Sequence, residues 1–369
     1  MSGRSGFAQR LYQGQISINF VGRRRTWYII SAIILLVSIG AVGIRGLNLG
    51  IEFRGGADFG IPSATCSIEE ARTFAETKTG AQAIVTSAAN GTVRVQTEAL
   101  SADESSVLAG ELAGLCGVTK ADIKVQVVGP TWGAEISKKA LQALVVFLLL
   151  VTIFLSIYFE WRMAVAALVA LAHDLVITIG IYALTGLEVT PATVIGLLTI
   201  LGFSLYDTVV VFDKVKENTR NIAGQSVLTY GEAANLALNQ TLVRSINTSI
   251  VALLPVLAII IIGAGLLGAG TLLDLAVALA VGMAAGTYSS IFIATPFLVQ
   301  LKEKQPEIRS LATRVAGRRA QASKSAVEVA EVAGGAAGAG LLVAGITTRV
   351  DGAPRQQPKR GTRSHRSKK

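Results

Sequence analysis

Apolar runs of roughly 20 residues alternate with polar stretches along the 369-residue chain. Six fall at 26–44, 140–159, 163–185, 190–212, 245–267 and 271–299. At 1.5 Å rise per residue each is long enough to cross a hydrocarbon core of about 30 Å. The last two form one apolar stretch, divided here at Gly263, Gly265, Gly268 and Gly270, since an unbroken helix would be about twice the needed length. Between the first two runs the pattern changes. Residues 50–60 are strand-like, and Ser67-Ile68-Glu69-Glu70 has the spacing of a capping box before a helix to about Thr79. Residues 81–87 and 91–98 alternate around Asn90-Gly91, a hairpin turn pair. A second capping box, Ser101 to Glu104, opens a helix to about Leu115, and 122–128 alternates again. The order βαββαβ is that of a ferredoxin-like α+β domain. The predicted fold is a polytopic membrane protein of six transmembrane helices, with this domain (48–135) between helices 1 and 2.

Composition supports that reading. The chain is 51% hydrophobic and 16% charged, against about 25% charge in soluble domains. The net charge of +10 divides unevenly. Residues 301–369 hold 15 Lys/Arg and 5 Asp/Glu, whereas segment 48–135 holds 6 basic and 11 acidic residues. The leader 1–28 has 5 Arg and no acid. Basic loops stay in the cytoplasm, so the expected topology puts both termini and loop 213–244 inside and the domain outside. Arg23, Arg24 and Arg25 end a basic cytoplasmic leader (1–25), with Trp27 and Tyr28 at the mouth of span 1. No A-x-A-like site follows that span, so it is expected to remain as an anchor.

Both cysteines fall in the domain, Cys66 before its first helix and Cys116 after its second. Antiparallel packing of those helices puts the two at one end, where an oxidising compartment permits a disulfide; two unrelated buried thiols is the alternative. The tail 301–369 is Ala/Gly/Arg-rich with a weak apolar patch at 333–347. It reads as disordered and cytoplasmic, retained there by topology or attracted to anionic lipid or ribosomal RNA. Specific nucleic-acid binding is not expected.

Ionisable groups inside spans cost about 2.5–3.5 kcal/mol each at a helix centre and mark pathways or relays. Span 3 carries His173-Asp174, span 4 carries Asp207 and, at its inner end, Asp213. Arg244 opens span 5 with Thr241 and Thr248 on its face, and Asp274 opens span 6. A buried Asp whose Arg partner moves away switches between proton-holding and ion-paired states. A static ion pair fixing helix register is the alternative. Gly282 and Gly286 form a GxxxG, with Gly196 and Gly202 in span 4, small residues suited to close packing. There is no Walker motif, no Cys/His metal cluster and no Ser-His-Asp or Cys-His set, so neither ATP use, cofactor nor enzymatic activity is expected.

Four stretches carry a resemblance covering about 20–300. Gly50-Ile-Glu-Phe-Arg-Gly-Gly56 resembles the G-x-D-F-x-G-G signature after the first span of the SecD/SecF protein-export family. Ala172–Thr178, Gly202–Asn218 and Leu238–Ser249 resemble that family's third span, its fourth span and exit, and the start of its fifth. Two departures stand out: Glu52 where Asp is usual, and Tyr206 where many members have Asn. The resemblance implies a six-span half of a resistance-nodulation-division-like unit, completed by SecD beside the SecYEG channel. Such a unit uses the proton motive force to promote preprotein export. Carried over by residue, Asp207 and Arg244 take the proton-relay role, with Asp174 and Thr248 as further candidates. Gly50, Glu52, Phe53, Gly55 and Gly56 form the signature. The external domain is expected to touch the partner's larger domain or the emerging preprotein. A small-molecule or lipid exporter of the same superfamily, or a non-coupling scaffold of the channel, are the rival readings.

Overall fold

The computed structural model describes residues 16–62, 64–87, 91–266 and 273–334. Six of its helices are long and apolar enough to cross a membrane. Span 1 is Arg24–Arg45, span 2 Pro130–Tyr158, span 3 Trp161–Thr185 and span 4 Pro191–Asn218. Span 5 is Tyr230–Ala258, continued by a π-helical stretch Ile259–Leu266. Span 6 begins at Leu273, loosens into a π-turn at Ser290–Ala294 and ends at Lys302.

Hydropathy located these helices but not all of their ends. Span 2 starts at Pro130, where the expected span began at 140, and span 5 starts at Tyr230 where 245 was expected. The added turns are polar, so hydropathy cannot register them, yet they carry helix starters. Pro130 pre-sets the first-turn φ, and Thr229 with Glu232 forms a capping box. The expected loop 213–244 therefore narrows to Thr219–Thr229, around a 3₁₀ turn at Ile222–Gly224. Gly268 and Gly270, invoked to separate spans 5 and 6, lie outside the described residues, as does Asn90 of the hairpin.

After span 1 the chain forms β1 (Asn48–Leu49), a one-turn helix Ile51–Arg54 and β2 (Gly56–Ile61). The expected continuous strand over 50–60 is thus broken at its start. Gly55 and Gly56 have φ of +80° and +150°, which re-aims the chain from helix into strand. The domain continues through helix Ile68–Thr79, β3 (Ile84–Ser87), β4 (Val93–Thr97), helix Ala102–Cys116 and β5 (Lys124–Val128). Both capping boxes form, Ser67 with Glu70 and Ser101 with Glu104. The sheet order β3-β4-β2-β5, antiparallel throughout, is the ferredoxin-like one. Phe59, Ile61 and Val95 point to one face and pack with Ala71, Leu108 and Leu112 of the two helices. Cys66 and Cys116 are disulfide-bonded with Cα atoms 4.5 Å apart.

Period two puts Asp58, Arg94 and Gln96 on the opposite face, where they meet β6 (Glu188–Val189), the segment just before span 4. Arg94 Nε donates to Asp58 at 2.5 Å and its Nη1 to Glu188 at 2.7 Å, while Gln96 Nε2 donates to Glu188 at 2.8 Å. Burial opposes the charge on Arg94, but the hydrogen bond and charge of Asp58, with Glu188 and Glu52 nearby, hold its pKa above the usual value. β1 pairs in parallel with β6, Asn48 opposite Glu188 and Leu49 opposite Val189.

Within the bundle, span 6 packs on span 4 through glycines. A Cβ on Gly282 would fall 2.3 Å from the Ile200 side chain, and one on Gly286 would fall 2.8 Å from Ser204 Cβ. At the other end, Asn235 and Asn239 of span 5 hold the backbone ahead of span 1. Ile18 N–H donates to Asn239 Oδ1 at 2.7 Å and Phe20 N–H to Asn235 Oδ1 at 2.8 Å, and both Asn amides donate back to Ile18 O.

The tail departs from the expected disorder. Pro306–Gly334 is a helix. Ile308, Leu311 and Val315 recur at helical spacing and join the main bundle core. Ala, Arg, Gln and Lys are strong helix formers, so local propensity supports what that burial begins. The rest of the tail, including its basic end and most of the 333–347 patch, lies outside the described residues.

Candidate functional site

Two carboxylates lie inside the bundle, each with almost no solvent exposure: Asp174 at 0% and Asp207 at 4%. Asp207 Oδ1 accepts from Ser245 of span 5 at 2.6 Å, and Oδ2 from Ser290 of span 6 at 2.5 Å. Asp174 Oδ2 accepts from Ser204 of span 4 at 2.6 Å and from Ser289 of span 6 at 2.8 Å. His173 Nδ1 lies 3.2 Å from Asp174 Oδ1, and its ring stacks on Tyr288, whose hydroxyl is 2.9 Å from Ser31 of span 1. The His173 Nε2 is buried without a hydrogen-bond partner among the described residues.

A buried carboxylate needs partners for its lone pairs, and hydroxyls supply them at short range. A hydroxyl also serves either protonation state, because it donates to a carboxylate and accepts from a carboxylic acid. Each of the two carboxylates thus sits in a cradle of serine hydroxyls inside an apolar bundle.

Arg244 is not in this cradle. The expectation that it faces Asp207 is corrected: it is exposed and donates to the Tyr206 hydroxyl at 3.3 Å. The reason is angular. Successive residues on a helix diverge by about 100°, so with Ser245 aimed inward at Asp207, Arg244 is turned outward, and Tyr206 turns outward beside Asp207 in the same way. Thr248, one turn along, is half-buried. The Tyr206 departure thus supplies the hydroxyl that holds Arg244 outside the bundle. Asp213 and Asp274 stand apart from both cradles.

Sequence reading missed Ser204, Ser245, Ser289 and Ser290. Serine is common in membrane helices and carries no signal alone. The signal was positional: Ser204 lies one turn from Asp207, and Ser289-Ser290 is a polar pair midway along span 6.

The signature residues form a separate joint. Gly50 N–H donates to Val189 O at 2.9 Å, beside the β1–β6 ladder. A Cβ on Gly55 would come within 2.9 Å of Pro130 Cα, and one on Gly56 within 2.6 Å of Thr97 O. Phe53 O faces Gly133 of span 2, where a Cβ would come within 2.8 Å. Glu52 accepts from Gln126 at 3.4 Å, and its second oxygen is buried without a hydrogen-bond partner among the described residues. The signature thus lets the domain sit directly on the starts of spans 2 and 4.

Comparison with known proteins places this architecture. Residues 111–304 match the family model "Protein export membrane protein SecD/SecF, C-terminal", and residues 40–57 match the "SecD/SecF GG Motif". The protein translocase subunit SecF of Streptomyces coelicolor is 50% identical over 322 residues, spanning 87% of this chain and 86% of that protein. The Mycobacterium tuberculosis SecF is 43% identical over 344 residues, spanning 90% of this chain and 78% of that protein. The crystal structure of SecDF from Thermus thermophilus, a translocon-associated membrane protein, superposes with a TM-score of 0.70 at 32% identity. That match takes in 79% of this chain and 39% of the longer SecDF chain. On these grounds, the chain belongs to the SecD/SecF protein-export family, in its SecF branch, as a multi-pass membrane protein.

Proposed function

We propose that this chain is the SecF subunit of a SecD–SecF unit that uses the proton motive force to promote preprotein export through SecYEG. The observation that carries the reading is Asp207, buried and held only by hydroxyls, with Arg244 on the neighbouring span but turned away. A carboxylate in that setting stores a proton; the same carboxylate beside a guanidinium stays ionised. Rotating Arg244 inward converts one state into the other, so proton flow and helix movement are linked. Each proton crossing about 100 mV brings about 2.3 kcal/mol, which shifts a two-state equilibrium about fifty-fold.

Two further points support the reading. An arginine on a lipid-depth surface is costly, so the Tyr206–Arg244 face calls for a protein partner, and SecD is the one that fused relatives supply. The charge pattern argues for both termini inside and the domain outside, where it meets the partner's domain or the preprotein. Reporters fused after Gly224, in the loop that follows span 4, and after Gly91 test the topology, with an inside and an outside signal respectively.

The coupling test uses the chain co-produced with its SecD partner in membrane vesicles, with and without an uncoupler. Asp207→Asn mimics the protonated carboxyl and is expected to abolish stimulation of export by the proton motive force at normal abundance. Full stimulation in that variant would overturn the reading in favour of a structural scaffold.

A further inference from the structure

The hydroxyl donors from span 6 to the two buried carboxylates come from consecutive residues. Ser289 donates to Asp174 on span 3 and Ser290 donates to Asp207 on span 4. Both serines are fully buried. They stand where span 6 passes from α-helix to the π-turn Ser290–Ala294. Single π-turns inside α-helices are rare and recur at functional sites. The two carboxylates are also joined through span 4. Ser204, which donates to Asp174, sits three residues before Asp207, about 4.5 Å along the helix axis. His173, charged only when protonated, is the one basic side chain paired with either carboxylate among the described residues. Its Nε2 is buried without a partner there, in a ring 95% removed from solvent.

The remaining neighbours are neutral or turned away. Around Asp174 they are Ser204, Ser289 and, stacked over His173, Tyr288. Around Asp207 they are Ser245 and Ser290, with Arg244 and Tyr206 paired on the outside. No fixed charge therefore pins either carboxylate, and a change at one reaches the other through the two adjoining hydroxyls.

We propose that Asp174 with His173 is a second proton-holding station, and that Ser289 and Ser290 are positioning residues that make its titration and that of Asp207 one coupled event. A proton added at Asp207 Oδ2, the oxygen that Ser290 binds, turns that hydroxyl from donor to acceptor. The π-turn absorbs the adjustment, and Ser289 is displaced with it against Asp174. By reciprocity the loading of Asp174 alters Asp207 to the same degree. The inference rests on the proposed proton coupling for its physiological meaning, but the coupling between the two carboxylates can be measured without export.

The experiment follows the infrared band of protonated carboxyls against pH in the complex purified with its SecD partner. The Asp207 band is the one lost in Asp207→Asn. In Asp174→Asn the midpoint of that band is expected to move by about one pH unit, the size at which neighbouring sites titrate as a pair. In Ser289→Ala and in Ser290→Ala, adding Asp174→Asn is expected to move it by less than half as much. Ser289→Thr and Ser290→Thr, which keep a hydroxyl, are expected to retain the coupling and guard against a folding defect. An unmoved midpoint in Asp174→Asn, or undiminished coupling in both alanine variants, would overturn the proposal. If coupling is present yet Asp207→Asn still exports with full proton-motive stimulation, the paired titration stands and the export reading falls. If Asp207→Asn loses stimulation while the midpoint stays fixed, the reverse holds.

Discussion

The α+β domain and the helical bundle both bury aspartates, and they treat them in opposite ways. Asp58, 5% exposed, is paired with the Arg94 guanidinium, which also binds Glu188. Asp174 and Asp207 are at least as buried; serine hydroxyls hold both, and the His173 ring also lies against Asp174. In the domain the carboxylate meets an opposite charge. In the bundle no arginine or lysine among the described residues pairs with either carboxylate. The same contrast extends to cohesion. A disulfide, ion pairs and capped helices tie the domain, whereas glycine contacts and short hydroxyl bonds join spans 4 and 6.

Removing the covalent tie tests the first half of that contrast most strongly. The Cys66–Cys116 bridge has a sequence separation of 50, so the Cys66→Ser, Cys116→Ser variant is expected to lose about 4 kcal/mol of domain stability in the chain-entropy picture. Limited proteolysis of the domain in the intact chain reads this, and an unchanged cleavage rate would remove the bridge from the account. Next in size is packing in the bundle. Gly286→Leu drives a side chain into Ser204 and is expected to cost upwards of 2 kcal/mol, lowering abundance in the membrane. Equal abundance would mean that spans 4 and 6 separate readily.

Arg94→Met leaves Asp58 and Glu188 facing each other without their cation. Arg94 is partly exposed, so the expected loss is about 2 kcal/mol rather than the 3–5 of a fully buried pair, again read by proteolysis. A smaller step of about 1 kcal/mol is expected for Ser67→Ala, which deletes a helix cap.

The smallest effect is one of pH. Glu70 and Glu104 have pKa values held below the carboxylate norm of 4.5, because the backbone N–H and then the hydroxyl of Ser67 and Ser101 bind their ionised forms. Depressed folded values mean that this contribution is complete above the unfolded pKa and is lost as pH falls through the folded one. Glu70→Gln with Glu104→Gln should therefore flatten the acid limb of domain unfolding. The same acid limb in both proteins would remove the caps from the account.

The domain was the more legible of the two regions. Its helix starts are local chemistry: Ser67 and Ser101 with their glutamates mark positions that tertiary packing had no reason to move. Its strands alternate because one face is buried, and that period survives in the sequence. The Gly55–Gly56 break was hidden because its cause is steric contact with Pro130 and Thr97, far along the chain. In the bundle, the presence of Asp174, Asp207 and Arg244 in apolar runs could be read, but their facing could not. All-round hydrophobicity erases the amphipathic stripe that would orient a helix, so whether Arg244 or Ser245 turned inward had no local signature.

The β1–β6 ladder, seen together with Arg94, has a mechanical consequence. The chain leaves span 1 through β1, which is hydrogen-bonded to the residues that open span 4. The domain returns to that same segment through Glu188. A body held at spans 1, 2 and 4 has lost its free swivel. The orientation of the domain and that of the head of the helix carrying Asp207 are thereby set by the same few contacts.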